Sequence, residues 1–335
     1  MAVAWLFLTK HFSKVLSFVA GFGICLLFFG ISGNWTASNE PEEEEIRQSG
    51  YIFINPLLEC EMDDSIISSK YIPFEDKTKK QIQEYISKNT NLKDVSVYFR
   101  SLNNGPWFGI NEQQEFSPAS LLKVPLAMAY YKKSESEQGL LEKKIVFSDM
   151  GPQETYQNLK PSRSLQQGNE YTVDELIEMM LVYSDNNAMR LLMSNMNESD
   201  LGKVYADLGV DSPNVKKPEN FMSVKQYASF FRILYNASYL EKDDSEKILK
   251  LLSDVEYREG IVAGVPENIK VSHKFGEREF ATADGYMKQL HDCGIIYYPQ
   301  QPYLLCVMTR GRDFGDLSEG IHNVSNIVYN MVSGS

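Results

Sequence analysis

The 335-residue chain reads as an α+β domain interrupted by an all-helical region. Three observations lead there. Residues 94–100 alternate, with Val95, Val97 and Phe99 on one face, and Asn103-Asn-Gly105 then turns the chain into a second strand at 107–110. Helical periodicity dominates from residue 119 to about 255. Strand-like runs return between 270 and 308 before a last helix over about 315–332. Two strands and a helix, a helical middle, then three strands and a helix segregate the two element types, which is the α+β pattern.

In chain order, the first element is an uncharged apolar run over residues 15–31. With Ser32 and Gly33 it nears the ~20 residues that cross a bilayer as a helix. Lys10, His11 and Lys14 precede it, while Glu40 and Glu42 to Glu45 follow. That asymmetry predicts a cytoplasmic stretch at 1–14, a single-pass anchor at 15–33, and everything beyond on the outer side of the membrane. An uncleaved signal anchor fits better than a cleaved signal peptide, whose apolar core is usually shorter and ends at an Ala-x-Ala-type site. Residues 34–72 form an acidic spacer in which 51–58 are apolar enough to dock, and 73–335 form the main domain.

Within that domain a helix is expected over 73–88. The segment 119–132 carries Leu121, Leu122, Val124, Leu126, Ala127 and Met128, with Pro118 at its start, and reads as another. Thr172 and Glu175 form a capping box opening a helix to 182, and Ser223 with Gln226 opens one over 227–235.

Composition excludes several functions. The net charge of −12 and the lack of a basic stripe argue against nucleic acid as partner. The four histidines (His11, His273, His291, His322) lack the spacing of a zinc site, so no metal or cofactor is expected, and His273 reads as a strand residue. There is no Gly-x-Ser-x-Gly elbow and no phosphate-cradling glycine loop. Of the cysteines, Cys293 and Cys306 flank a hairpin turning at 299–302 and could approach; buried free thiols are the expectation.

Three short motifs carry chemistry. Ser120 and Lys123, one helical turn apart, pair a nucleophile with a base. Near a helix N-terminus, free backbone N–H groups favour the negative charge that develops there. Tyr183-Ser-Asp-Asn186 presents a hydroxyl and a carboxamide together after the 172–182 helix. Val271-Ser-His-Lys-Phe-Gly276 places Lys274 on a strand before a glycine, which alone would equally suit an exposed strand end with a turn.

In this order, Ser-x-x-Lys, Ser-Asp-Asn and Lys-x-Gly resemble the signature of class A β-lactamases and penicillin-binding proteins. The resemblance covers roughly residues 75–333. It implies a β-lactamase/transpeptidase-like fold: an antiparallel sheet of about five strands packed by helices. It also implies a bacterial serine hydrolase acting on β-lactams or on peptidyl-D-alanine of peptidoglycan, which the apolar run at 15–33 would anchor in the membrane. Ser120 would be the nucleophile and Lys123 its base, made available by the nearby cation Lys274. Ser184 would relay a proton, Asn186 would hold the substrate amide, and the N–H groups of Ser120 and Glu277 would form an oxyanion hole.

Two departures stand out. Phe275 occupies the place of a Thr or Ser that helps bind the substrate carboxylate, with Arg278 the candidate replacement. Glu219 falls where the family has its deacylating glutamate, but the loop is about a dozen residues short. A D,D-peptidase that deacylates slowly, and a non-catalytic wall-binding or scaffolding protein, are therefore the alternative readings.

Overall fold

Alternation along the chain builds the central sheet, and its register decides what reaches the site. In the computed structural model the described residues are 46–59, 72–103, 105–148, 151, 157–212, 220–283 and 285–334. Strands β1 (Leu92–Ser101), β2 (Trp107–Ile110), β3 (Val271–Thr282), β4 (Gly285–Ile296) and β5 (Tyr303–Gly311) form one antiparallel sheet in the order β2-β1-β5-β4-β3. Both chain ends of the domain thus meet in adjacent strands, and β3, carrying Lys274, is left at an edge.

Eight α-helices are found among the described residues: α1 (Glu75–Lys88), α2 (Lys123–Ser134), α3 (Val173–Val182), α4 (Asn186–Ser194), α5 (Glu198–Asp207), α6 (Val224–Tyr235), α7 (Lys242–Ser253) and α8 (Phe314–Ser333). Their starts follow local chemistry. Both expected capping boxes form, Thr172 with Glu175 on α3 and Ser223 with Gln226 on α6. Asp313 caps α8 by accepting from Gly315 N–H at 2.8 Å and Asp316 N–H at 3.2 Å. Helix α8 packs along β4 and β5 beside α1, while α6 packs on β5 and β1, and α7 on β3. Nearly every residue of β5 is buried, so helices cover both faces of the sheet.

That double cover corrects one expectation. The sequence reads 94–100 as half-buried, yet residues 95–99 are buried on both faces. The polar position Ser96 is accommodated by donating to the Asn111 carbonyl at 2.8 Å, and Tyr98 stacks on Trp107. A second correction concerns the cysteines. Cys293 and Cys306 face each other directly in the β4–β5 register and are joined as a disulfide rather than left as free thiols.

Three two-stranded ribbons were not anticipated: 46–47 with 57–59, 115–116 with 222–223, and 144–146 with 170–172. Segments of two or three residues carry no detectable period. Residues 52–54 dock through Glu246, whose carboxylate accepts the N–H groups of Ile52, Phe53 and Ile54 at 2.9 to 3.0 Å. Phe53 packs edge-on against Tyr297. No helix among the described residues is long and apolar enough to cross a membrane, and the expected anchor at 15–33 lies outside them.

Candidate active site

Ser120 lies in a 3-10 turn, Ala119–Leu122, that runs directly into α2. The sequence predicts one helix from 119; instead the α-helix begins at Lys123. The turn is clamped from the sheet. Ser117 N–H donates to Gln289 Oε1 at 3.0 Å, Arg278 donates to Ser117 Oγ at 3.0 Å, and His291 Nε2 donates to Ser117 O at 2.9 Å. Burial pushes His291 down to about 3, so its ring is neutral near neutral pH. Its Nδ1 accepts from Thr309 N–H at 3.3 Å, which leaves the proton on Nε2. Gly276 on β3 is required for contact: a Cβ there would lie 2.7 Å from the Pro118 oxygen and 3.1 Å from Leu121. The strand does not end at this glycine but continues to Thr282.

Lys123, fully buried, points across to the turn between α3 and α4. Its Nζ lies 2.6 Å from Ser184 O, 3.1 Å from Ser184 Oγ and 2.7 Å from Asn186 Oδ1. Lys274 Nζ arrives from β3 and lies 3.0 Å from the same Ser184 Oγ. Ser184 is held at φ +57°, a left-handed conformation that a serine adopts at a conformational penalty. The constraint comes from Asp185, which caps α4 through Asn187 N–H at 2.7 Å and Ala188 N–H at 3.4 Å while its other oxygen accepts Leu165 N–H at 2.9 Å.

Burial, then the charge of Lys274, holds the Lys123 amine well below its ordinary range. Desolvation, rather than the second cation expected from the sequence, is the larger cause. Burial also brings Lys274 down to about 7, opposed by Asp292 and Glu277. Asp292 is bound to His273 Nδ1 at 2.8 Å and to Ile261 N–H at 2.9 Å, so His273 is a buried strand residue behind Lys274.

A neutral Lys123 has two N–H donors for Ser184 O and Asn186 Oδ1 and a lone pair for a hydroxyl proton. Lys274, Ser184 Oγ and Lys123 then form a continuous proton path. Ser120 lines an adjacent cavity of ≈ 520 Å³ with Gln157, Asn186, Glu277 and Arg278. Gln157, which no sequence signal marked, donates to Ser184 O at 3.3 Å and accepts from Asn186 Nδ2 at 3.2 Å. Glu277 crosses to the facing loop, where its Oε1 accepts Leu159 N–H at 2.8 Å. The structure thus brings together Ser120, Lys123, Ser184, Asn186, Lys274 and Glu277. Glu219 lies outside the described residues. Phe275 is buried, with its ring 4.5 Å from that of Tyr257 and 4.1 Å from Lys274 Nζ.

Several solved structures share this fold. PBP-A, solved as a mutant acyl-enzyme complex with penicillin G, is 21% identical, with a TM-score of 0.64 over 78% of this chain and 97% of its own. A class A β-lactamase from Bacteroides cellulosilyticus is 18% identical, with a TM-score of 0.67 over 79% of this chain and 100% of its own. A β-lactamase from Chitinophaga pinensis is 18% identical, with a TM-score of 0.66 over 76% of this chain and 99% of its own. These likenesses establish the fold. No curated protein matches the chain. The model of the beta-lactamase enzyme family matches residues 77–332, most of the sequence. With its fold and its ordered serine–lysine motifs, the chain belongs to the beta-lactamase enzyme family.

Proposed function

We propose that the protein is a membrane-anchored serine hydrolase that captures amide substrates as a Ser120 acyl-enzyme, its substrates being β-lactams or the peptidyl-D-alanine bonds of peptidoglycan. One observation carries the reading: Ser184 Oγ lies between the amines of Lys123 and Lys274, both buried. A binding module has no use for two desolvated cations sharing a hydroxyl, and that argues against a purely scaffolding role.

In this mechanism neutral Lys123 takes the Ser120 proton as Oγ bonds to the acyl carbon. The carbonyl oxygen is held by the N–H groups of Ser120 and Glu277. Ser184 donates its proton to the leaving nitrogen as the amide bond breaks, and is reprotonated through the lysines. Asn186 holds the amide on the acyl side. Release of the acyl group needs an activated water, for which Glu219 is the candidate base. The anchor at 15–33 places the domain outside a bacterial cell membrane, and the Cys293–Cys306 disulfide suits that oxidising side.

An intact-mass time course with saturating penicillin and, separately, a neutral fluorophosphonate tests the proposal. A single adduct on the wild type and none on Ser120→Ala is expected. No adduct from either probe would refute acyl transfer. Lifetime of the penicillin adduct separates the activities: seconds or less for a β-lactamase, hours for a D,D-peptidase.

A further inference from the structure

The carboxamide of Asn186 can face only one way. Lys123 Nζ donates to its Oδ1 at 2.7 Å, so Nδ2 is turned toward the cavity that Ser120 lines. There Nδ2 donates to Gln157 Oε1 at 3.2 Å, which turns Gln157 Nε2 onto the Ser184 carbonyl at 3.3 Å. Lys123 donates to that same carbonyl at 2.6 Å and closes a ring of hydrogen bonds. Each donor in the ring meets an acceptor, and flipping either carboxamide would set oxygen against oxygen.

A carboxamide nitrogen carries two N–H bonds, and the ring uses one from each residue. The second N–H of Asn186 and the second of Gln157 have no acceptor among the described residues, and both side chains are half-buried on the cavity wall. Gln157 reaches this place on a braced loop. Glu277 on β3 accepts the N–H groups of Asn158 and Leu159, the latter at 2.8 Å. From the α3–α4 turn, Asp185 accepts Leu165 N–H at 2.9 Å. The loop is thus tied to both walls of the cleft, and its glutamine is in position before a ligand arrives.

We infer that Gln157 is a specificity-determining residue for the acyl group: a carbonyl oxygen on the acyl side accepts one N–H from Asn186 and one from Gln157. This rests on the acyl-transfer role of Ser120 and narrows its substrates to acyl donors whose α-carbon bears an acylated nitrogen, as in N-acylated D-amino acids and acylamino β-lactams. An acyl group without that carbonyl covers two N–H groups and leaves them without an acceptor, which is unfavourable. The acyl-side amide does not change in the reaction, so the contact forms on binding and persists in the acyl-enzyme.

Three thioglycolate thioesters that differ only on the acyl side test it: phenylacetyl-D-alanyl, the ketone in which a methylene replaces the amide nitrogen, and the alkane in which methylenes replace both nitrogen and carbonyl. In each, the Ser120 Oγ–carbon bond forms, the carbon–sulfur bond breaks, Lys123 takes the serine proton and Ser184 supplies one to the thiolate. The wild type is expected to be acylated by the amide about thirtyfold or more faster than by the alkane, with the ketone within about threefold of the amide. Gln157→Leu removes one donor and is expected to lower the amide-to-alkane ratio by about fivefold or more. Because both substrates meet the same variant, general damage to the site cancels in the ratio. Gln157→Glu keeps an acceptor for Asn186 Nδ2 but has no N–H; its ratio is expected to fall as well, whereas a residue that only oriented Asn186 would preserve it. A ratio unchanged in either variant, or a ketone as slow as the alkane, overturns the proposal. Equilibrium binding of the amide and alkane thioesters to Ser120→Ala repeats the comparison without chemistry. An amide preference there without acylation of the wild type would sink the Ser120 reading and leave the Gln157 one standing; equal binding would sink the latter.

Discussion

Replacing Lys274 with methionine isolates the electrostatic control of the base. The substitution removes the cation while keeping an unbranched apolar chain of similar length. The amines of Lys123 and Lys274 each lie within 3.1 Å of Ser184 Oγ, so they are no more than about 6 Å apart. Two full charges at that distance repel by about 2.8 kcal/mol at an effective dielectric of 20, about two pH units in the titration of Lys123. Lys274 itself titrates at about 7, so the full effect exists only below that pH and fades above it. Acylation requires neutral Lys123, a nearby cation disfavours its protonated form, and removing that cation raises its pKa. Lys274→Met should therefore move the acid limb of the rate profile upward by about one to two pH units and slow the reaction about tenfold or more on that limb. Burial, the larger cause of the depression, persists, so the amine does not return to its ordinary range. The assay is the rate of Ser120 modification by a neutral fluorophosphonate between pH 5 and 9, since that probe does not titrate. A limb that stays in place, or moves to lower pH, would refute the coupling.

Other outcomes follow from the clamp around the nucleophile. Gly276→Ala would drive a methyl group against the Pro118 oxygen at 2.7 Å and should reduce Ser120 modification more than tenfold, with about 1 to 3 kcal/mol lost in urea unfolding. Asp185→Ala removes the α4 cap and the Leu165 contact, and should lower stability by about 1 to 3 kcal/mol and slow acylation as Ser184 loses its support. His291 titrates lower folded than unfolded, so it stabilises the fold above about 6.5, and that contribution is lost as pH falls toward about 3. Wild-type stability should therefore fall by up to about 1.4 kcal/mol per pH unit across that window from this group, and His291→Gln should flatten the dependence in denaturant titrations.

The sequence carried the fold where local signals agree with tertiary need. Val95, Val97 and Phe99 announced β1, and the two capping boxes marked the starts of α3 and α6. It carried the site to the extent that Ser120, Lys123, Ser184 and Lys274 sit in short motifs whose order is diagnostic. What it missed depends on long-range contacts. Gln157 and the Ser117 clamp by Gln289 and His291 join residues far apart in sequence and have no local period or motif. The Cys293–Cys306 disulfide depends on strand register, which spacing alone does not fix. The 3-10 turn at Ser120 yielded to the same cause: the close approach of Gly276 sets that backbone, overriding the helical propensity of the surrounding residues.

The central claim is that Ser120 is the nucleophile and that the buried lysine pair empowers it. The most direct measurement is peptide mapping of the wild type after brief exposure to a neutral fluorophosphonate at pH 7.5. The account predicts stoichiometric phosphonylation confined to the peptide containing Ser120, absent in Ser120→Ala and strongly slowed in Lys123→Met. Modification elsewhere, or undiminished labelling in either variant, would contradict it.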